Sequence, residues 1–427
     1  MDTIFAVSSG APPAAIAVLR VSGPRAFDVV RDFAGDLPAP RRAAVRALHD
    51  PADGTLLDRA LVLCFPGPNS ATGEDLAEFH LHGGRAVVRA VEAALAARPG
   101  LRSAEPGEFT RRALLHGRID LSEAEGLGDL LMAETEAQRR SAIRSTEGAV
   151  RREVEGWTDR LLGLAARVEA ELDHSDEDDV ADAGLLPAIQ AGAAELAADI
   201  AAVAGRPPVE RLRDGIRVVL AGPPNAGKSS LLNAMVGRDA AIVSPISGTT
   251  RDRIEAPVVR GGIAWLLIDT AGLAELPGDE IEAIGIARAQ AAQAEADILL
   301  WLGDEAPPDH DHLLWLNPRA DLPGRETGEG RLSLSSRTGA GMEGLWEAMA
   351  RLAADLLPPP DLLALNARQR ALSLDAAAAL DAIARENDLL LIAEHLRSAM
   401  RAFDAITGRA GVEAMLDALF GRFCIGK

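Results

Sequence analysis

The segment GIRVVLAGPPNAGKSSLLNAMVG, residues 215–237, decides how the chain is read. An apolar run, IRVVLA, enters a glycine-punctuated turn and leaves it as an amphipathic helix, SLLNAMVG. The turn GPPNAGKSS (222–230) matches GxxxxGK(S/T), and strand–loop–helix is the context that motif requires. Gly222 and Gly227 permit a tight loop whose amides surround phosphate oxygens at a helix N-terminus. Lys228 then reaches the β- and γ-phosphates, and the Ser229 hydroxyl is placed for Mg²⁺.

Three further stretches follow in order. DTAG (269–272) ends the apolar run IAWLLI; Asp269 would hold Mg²⁺ through its water shell, and Gly272 presents an amide to the γ-phosphate. GTTRD (248–252) reads as a switch loop in which Thr250 supplies a second hydroxyl for Mg²⁺. SLSSRTGAGMEGL, centred on Ser335 and Ser336, resembles a loop that packs against guanine. Together they specify a GTPase of the translation-factor type.

Two positions depart from that pattern. Where GTPases carry NKxD, this chain has WLNPRADLPG (315–324). Asp321 fits the carboxylate that accepts from guanine N1 and N2, with Arg319 for the Lys and Pro318 for the Asn; a one-residue shift would instead use Asn317. Where Ras-like enzymes orient water with a Gln after DTAG, the residue is Leu273. The Asn225 side-chain carbonyl offers an alternative: with switch-loop carbonyls it could hold a monovalent cation and bring positive charge between the phosphates. Glu280 and Glu282, in GDEIEAIG (278–285), are the candidates for orienting water, against an ordinary role in a helix's first turn.

At 427 residues the chain has room for roughly two to four domains. A net charge of −20 excludes broad nucleic-acid binding except through a local basic patch or a partner's surface. Cys64 and Cys424 make neither a disulfide framework nor a zinc set, so a reducing, cytoplasmic setting is expected. No signal peptide and no bilayer-spanning stretch is expected. Residues 1–117 alternate β-like runs (TIFAVSS, AAIAVLRVSG, RALVLCF, AEFHLHGG) with turns, an α+β pattern. Helical periodicity takes over at 121–172 and 186–204, broken by the acidic DHSDEDD (173–179), and returns after PPP (358–360). The expected division is an N-terminal α+β domain over 1–117, a helical domain over 118–212 plus 358–427, and an α/β domain inserted at 213–357.

Outside the α/β module, LRVSG, FPGPNSATGEDLAEFHLHGG, PGEFTRRAL, GRIDLSEAEG and the terminal FCIGK occur in an order that, with AAIVSPISGTTRD and DEIEAIGI, resembles the MnmE/TrmE family of tRNA uridine-modifying GTPases over nearly the whole chain. The resemblance implies a folate-binding N-terminal domain, a helical domain and an inserted Ras-like P-loop GTPase domain. It implies a cytoplasmic homodimer that joins an FAD-dependent MnmG-type protein in a heterotetramer. The complex would install a (carboxymethyl)aminomethyl group at C5 of the wobble uridine of certain tRNAs, using a 5,10-methylene- or 5-formyl-tetrahydrofolate one-carbon unit. It also implies K⁺-dependent GTP hydrolysis, with two GTPase domains meeting across the dimer.

Carried onto matching positions, the resemblance assigns K⁺ to Asn225, Ser244, Ile246 and Thr249, and Mg²⁺ to Ser229 and Thr250. Glu282 matches the catalytic glutamate, acting beside Lys228 and Asn225. The GTP contacts are Asn225, Ala226, Gly227, Lys228, Ser229 and Ser230; Ser244, Pro245, Ile246, Ser247, Gly248, Thr249 and Thr250; Asp269, Thr270, Ala271 and Gly272; and Asp321, Ser335 and Ser336. Folate contacts are Arg20, Glu78, Arg118 and Lys427; Arg118 replaces a common Lys, so a point charge becomes a fork.

The chain has only two lysines, Lys228 and Lys427. The second makes sense if the C-terminal segment docks back onto the N-terminal domain, where an ammonium pairs with a folate carboxylate. Cys424 is either a reactive thiolate or a small packing residue, and His82 in HGG is a site residue or a turn residue. The competing function is a GTP-switched RNA or ribosome assembly factor without folate chemistry.

Overall fold

The computed structural model describes residues 2–174, 185–237, 241–242, 255–270, 290–325, 328–359, 361–409, 416, 419–421, 423 and 425–426. It divides into two units: Met1–Gly128 with Asp404–Lys427, and Asp129–Phe403.

The first unit is built on a six-stranded sheet. Its strands are β1 (Thr3–Val7), β2 (Ile16–Ser22), β3 (Ala44–His49), β4 (Leu56–Phe65), β5 (Leu76–His82) and β6 (Leu101–Ser103), in the order β3-β4-β5-β2-β1-β6. All neighbours are antiparallel except β1 and β6. Alternation sorts the side chains. Ala17, Leu19 and Val21 of β2 and Ala77, Phe79 and Leu81 of β5 face a core closed by α1 (Ala26–Ala34) and α2 (Arg85–Ala96), whose apolar stripes include Val29, Val30 and Phe33, and Val88, Val91 and Leu95. On the other face Ile4 and Ala6 pack with Ala104 and with Phe109 of α3 (Glu108–Leu115).

A second cluster holds the chain's end. Leu416, Phe420 and Phe423 pack with Leu121 and Ala124 of α4 (Leu121–Met132). The Ser8 hydroxyl donates to the Gly426 carbonyl at 2.7 Å, and Pro106 and Ile425 form a β-bridge. Gly426 has φ +95°, and a Cβ there would lie 2.1 Å from the Val7 carbonyl oxygen, so glycine is required. The C-terminal segment therefore lies on the N-terminal domain, as the lysine argument expected; Lys427 itself is outside the described residues.

Arg112 is the charged centre of this unit, with a side chain only 7% exposed. Its guanidinium meets Glu74, Glu108 and Asp2, each at 3.0 Å, and Arg102 adds a 2.6 Å bond to Glu108. The Arg102 hydrogen bond holds the Asp2 carboxyl below its ordinary value. For Glu108 burial pushes upward, but bonds from Arg102, the Glu105 amide and Arg112 outweigh it and the net shift is downward.

The second unit contains helices α5 (Glu136–Thr146), α6 (Ala149–His174), α7 (Leu185–Ala204) and α8 (Val209–Arg213), and then a seven-stranded sheet. The strands are β7 (Ile216–Ala221), β8 (Ala241–Ile242), β9 (Glu255–Arg260), β10 (Ile263–Asp269), β11 (Ile298–Trp301), β12 (Leu313–Asn317) and β13 (Leu332–Ser333), in the order β13-β12-β11-β7-β10-β9-β8. β7 and β10 to β13 run parallel, while β9 is antiparallel to its neighbours. Continuous apolar strands are what burial on both faces demands. Val218, Leu220, Leu267 and Leu300 face a core with Met235 of α9 (Lys228–Gly237) and Leu345, Trp346 and Met349 of α10 (Met342–Leu356). Val219, Ile268 and Leu299 face the opposite layer.

The two crossings between the helices and this sheet, near residues 206–213 and 361–367, are tied together. Arg206 donates to the Leu363 carbonyl at 3.1 Å and the Ala367 amide to Glu210 at 2.7 Å, at the start of α11 (Ala367–Ile383). Gln138 of α5 donates to the carbonyls of Leu212 and Arg213, both at 3.0 Å. The last described helix, α12 (Leu389–Thr407), brings Phe403 against Trp157 of α6, ring centroids 5.8 Å apart.

One expectation needs correcting. The stretch Leu185–Arg213 is long and apolar enough to cross a membrane, with a mean hydropathy of 1.3 over its best window. Its apolarity is largely alanine, which lets α7 approach α11 closely; Ile189, Ala193, Leu196 and Ile200 are buried.

Replacing Arg112 by Met leaves the buried Glu74 carboxylate without its cation and takes one of two cations from Glu108. Unit one is expected to lose about 3–5 kcal/mol, read by hydrogen exchange of β1 and α3 amides in urea titrations of the full chain. In the unsubstituted protein, Asp2 and Glu108 have folded values below their unfolded ones, so their stabilisation is complete above about pH 4.5. It is lost as pH falls through the depressed folded values, and Arg102→Met, which removes the bond that lowers both carboxyls, is expected to flatten that acid dependence.

Candidate functional site

The phosphate loop leaves β7 at the carboxyl edge of the sheet, where ligands of such sheets bind. Gly222 has φ +144° and Gly227 φ +100°, both closed to ordinary side chains. Asn225 adopts φ +63°, a region Asn tolerates better than most residues. The tip of the loop is thus an exposed residue.

Lys228 opens α9 and is buried. Its ammonium donates to the carbonyls of Gly222 and Pro223, each at 2.9 Å. Burial pulls its pKa below the ordinary lysine value, and the charge of Asp269 opposes that pull. An ammonium held on two neutral carbonyls lies inside the loop it would share with phosphate. The Ser229 hydroxyl meets the Asp269 carboxylate at 2.5 Å. Asp269 is fully buried at the end of β10, opposite Leu220 of β7, and Thr270 Oγ1 donates to the Leu220 carbonyl at 2.8 Å. A hydroxyl and a carboxylate in contact beside a phosphate loop fit the donor set of a hydrated Mg²⁺. Ser230 follows as an exposed residue on α9, and Ala226 is half-buried.

The base-reading segments also converge. Asp321 accepts from the Ser335 hydroxyl at 2.6 Å and from Arg337 at 2.9 Å. The Ser335 bond, with help from Arg337, lowers the Asp321 pKa and keeps it an acceptor. Arg319, at φ +63°, donates to the Asn225 carbonyl at 2.5 Å, bracing the phosphate loop. Asn317 ends β12 and is buried; its amide donates to Ser333 Oγ at 3.2 Å and its carbonyl accepts from Arg325 at 2.9 Å. Arg325 in turn pairs with Asp304 at 2.7 Å. Of the two residues open in the sequence, Asn317 is engaged inside the sheet, by Ser333 and Arg325, and Pro318 follows it. Ser336 lies beside this cluster in the 335–338 turn, where Thr338 N donates to Ser335 Oγ.

In the first unit, Arg20 of β2 and Glu78 of β5 stand directly opposite each other, and Arg20 Nε donates to Glu78 Oε1 at 2.8 Å. His80, on the same face of β5, meets Glu78 Oε2 at 3.2 Å. Ser22, on the same face as Arg20, bonds Thr72 at 2.7 Å and Glu74 at 3.0 Å. Next to Thr72, a Cβ at Gly73 would lie 2.6 Å from His116 Cβ and 3.3 Å from Arg118 Cγ. Arg118 itself is exposed at the end of α3. An acid, two bases and a loop are thus gathered at one end of an open sheet face.

Other expectations resolve individually. His82, the last residue of β5, has a side chain 73% exposed and bonds Asp58 of β4 at 2.7 Å. Cys64 is buried, and desolvation pushes its thiol to about 11, which makes it inert at neutral pH. Ser244, Pro245, Ile246, Ser247, Gly248, Thr249, Thr250, Ala271, Gly272, Leu273, Glu280, Glu282, Cys424 and Lys427 lie outside the described residues. His80 and Arg337 were missed in the sequence. Strand alternation from Glu78 would have exposed the first, and the second sits inside SSRTG beside a residue already singled out.

Two family profiles match: that described as GTP-binding protein TrmE N-terminus over residues 3–118, and that of the MnmE helical domain over 121–424. The chain is 58% identical to a tRNA modification GTPase MnmE from Rhizorhabdus wittichii, covering 100% of this chain and 97% of that protein. It is 56% identical to one from Erythrobacter litoralis and 53% identical to one from Novosphingobium aromaticivorans, each match covering both chains in full. Among solved structures, the G domain of the T. maritima FeoB iron transporter is 24% identical over 32% of this chain and 98% of that one, with a TM-score of 0.25. By full-length identity with these relatives and by its two matched profiles, the chain belongs to the MnmE (TrmE) family of tRNA modification GTPases.

Proposed function

We propose that this chain is the GTP-hydrolysing subunit of a cytoplasmic tRNA-modifying complex. It works as a homodimer and, with an FAD-dependent MnmG-type partner, installs a (carboxymethyl)aminomethyl group at C5 of the wobble uridine. The one-carbon unit comes from a tetrahydrofolate derivative. The domains are the folate-binding segment 1–117, the helical segments 118–212 and 358–427, and the GTPase segment 213–357.

The observation that carries the reading is the contact between Ser229 and Asp269 at the mouth of a loop whose lysine rests on its own carbonyls. Lys228 exchanges those neutral acceptors for phosphate oxygens when GTP enters. Ser229 and Thr250 would hold Mg²⁺ beside the Asp269 carboxylate, and the ion would offset charge on the phosphates. Asp321, fixed as an anion by Ser335 and Arg337, accepts from guanine N1–H and N2–H. K⁺ would be held by Asn225, Ser244, Ile246 and Thr249 and would supply the positive charge that Leu273 cannot, and Glu282 would orient water. In the first unit, Glu78 suits the donor edge of a pterin, while Arg20, Arg118 and Lys427 suit folate carboxylates. The Arg20–Glu78 side chains are 28% and 15% exposed, against 7% and 10% for Arg112 and Glu74, so a ligand separates them at less cost than it would that cluster.

GTP turnover in K⁺ is expected to exceed that in Na⁺ at least tenfold, and Asn225→Ala is expected to erase the difference; equal rates with both ions in the unsubstituted protein would rule out the K⁺ role. Calorimetric titration with 5-formyl-tetrahydrofolate is expected to show binding that Glu78→Gln weakens by tenfold or more. Absence of folate binding with intact GTPase activity would point instead to a GTP-switched assembly factor.

A further inference from the structure

We infer that Pro318 and the burial of Asn317 remove the donor that would read guanine N7, so this GTPase recognises its base without N7. The inference rests on the GTP reading above and concerns how the same site selects its nucleotide.

Guanine presents donors at N1 and N2 and acceptors at O6 and N7. In NKxD the carboxylate accepts from the donor edge, and the Asn amide is the neutral side chain able to donate to an acceptor. The residue three positions before the carboxylate lies at the opposite end of the loop. With Asp321 on the N1–N2 edge of a bound guanine, that residue would face the imidazole side of the base, where N7 is. Here it is Pro318, buried and without any N–H. The neighbouring Asn317 does not take its place. It is 2% exposed, is paired in register with Ser333, and has its amide on Ser333 Oγ and its carbonyl on Arg325.

Arg325 is itself anchored by both oxygens of Asp304, at 2.7 and 3.1 Å, and Arg331 binds the Asp304 carbonyl at 2.7 Å while its guanidinium lies 4.1 Å from the Trp315 ring centroid. This bracing holds Asn317 in the sheet. Arg319 reaches away from the base, to the Asn225 carbonyl. Base selection therefore falls on Asp321, whose two oxygens are set by Ser335 and Arg337.

The test compares GDP with 7-deaza-GDP, in which N7 is replaced by C–H, by calorimetry on the full-length protein. The affinities are expected to agree within about twofold, whereas loss of a real hydrogen bond to N7 would cost about fivefold to tenfold. A loss of that size overturns the inference. A second measurement uses Pro318→Asn, which restores an amide donor: it is expected to create a preference for GDP over 7-deaza-GDP of about fivefold or more. An unchanged ratio in a folded variant overturns the placement of residue 318 at N7. If GDP itself fails to bind, the GTP reading falls and this inference falls with it; GDP binding with a strong 7-deaza penalty removes only the inference.

Discussion

The parallel pairing of β7 with β10 is the constraint on which the nucleotide site depends. Its register sets Asp269 beside Leu220, two residues before the phosphate loop begins. A slip of one residue would turn every side chain of a strand to the opposite layer, and with both faces buried that is prohibited. Ser229 on α9 and Asp269 on β10 come from opposite sides of the loop and meet only because this register holds. Thr270, bonded to the Leu220 carbonyl, closes the same junction. The core that fixes the register, from Val218 to Trp346, is remote from the chemistry yet decides where the charges stand.

The first unit solves a different problem, keeping charges ready on an open sheet face. Its strong electrostatics are spent inside, where Arg112 binds three carboxylates at low exposure. Such a cluster is costly to break because each lost partner leaves a desolvated charge. The Arg20–Glu78 pair, with His80 beside it, lies nearer solvent than that cluster, which suits groups that must change partners. The contrast between a locked network and an exchangeable pair on one sheet is what makes the open face a candidate ligand site.

The base-reading loop illustrates how a substitution can be absorbed. Replacing Lys by Arg at 319 keeps a cation on the phosphate loop, because a guanidinium reaches the Asn225 carbonyl as well as an ammonium would. Proline at 318 cannot be absorbed in this way, since it carries no donor. The surrounding residues, Asp304, Arg325 and Arg331, organise the sheet edge around Asn317 instead.

The sequence by itself determined the phosphate loop, the order of the GTPase segments and the α+β beginning, and it made docking of the chain's end the condition of one reading of Lys427. These are local signals: glycines at positive φ, apolar runs of strand length, and a lysine retained in a chain that otherwise uses arginine. It could not choose between Asn317 and Pro318 as the start of the base-reading segment, because one residue of register is invisible until β12 pairs with β13. It overlooked His80 and Arg337, whose importance comes from what lies across a strand or a turn, and it undervalued the apolarity of the alanine-rich α7. Only tertiary structure decided which arginines act. With 44 basic residues in the chain, Arg20, Arg112 and Arg319 are distinguished by the carboxylate or carbonyl that folding brings to them, a property that no single position carries.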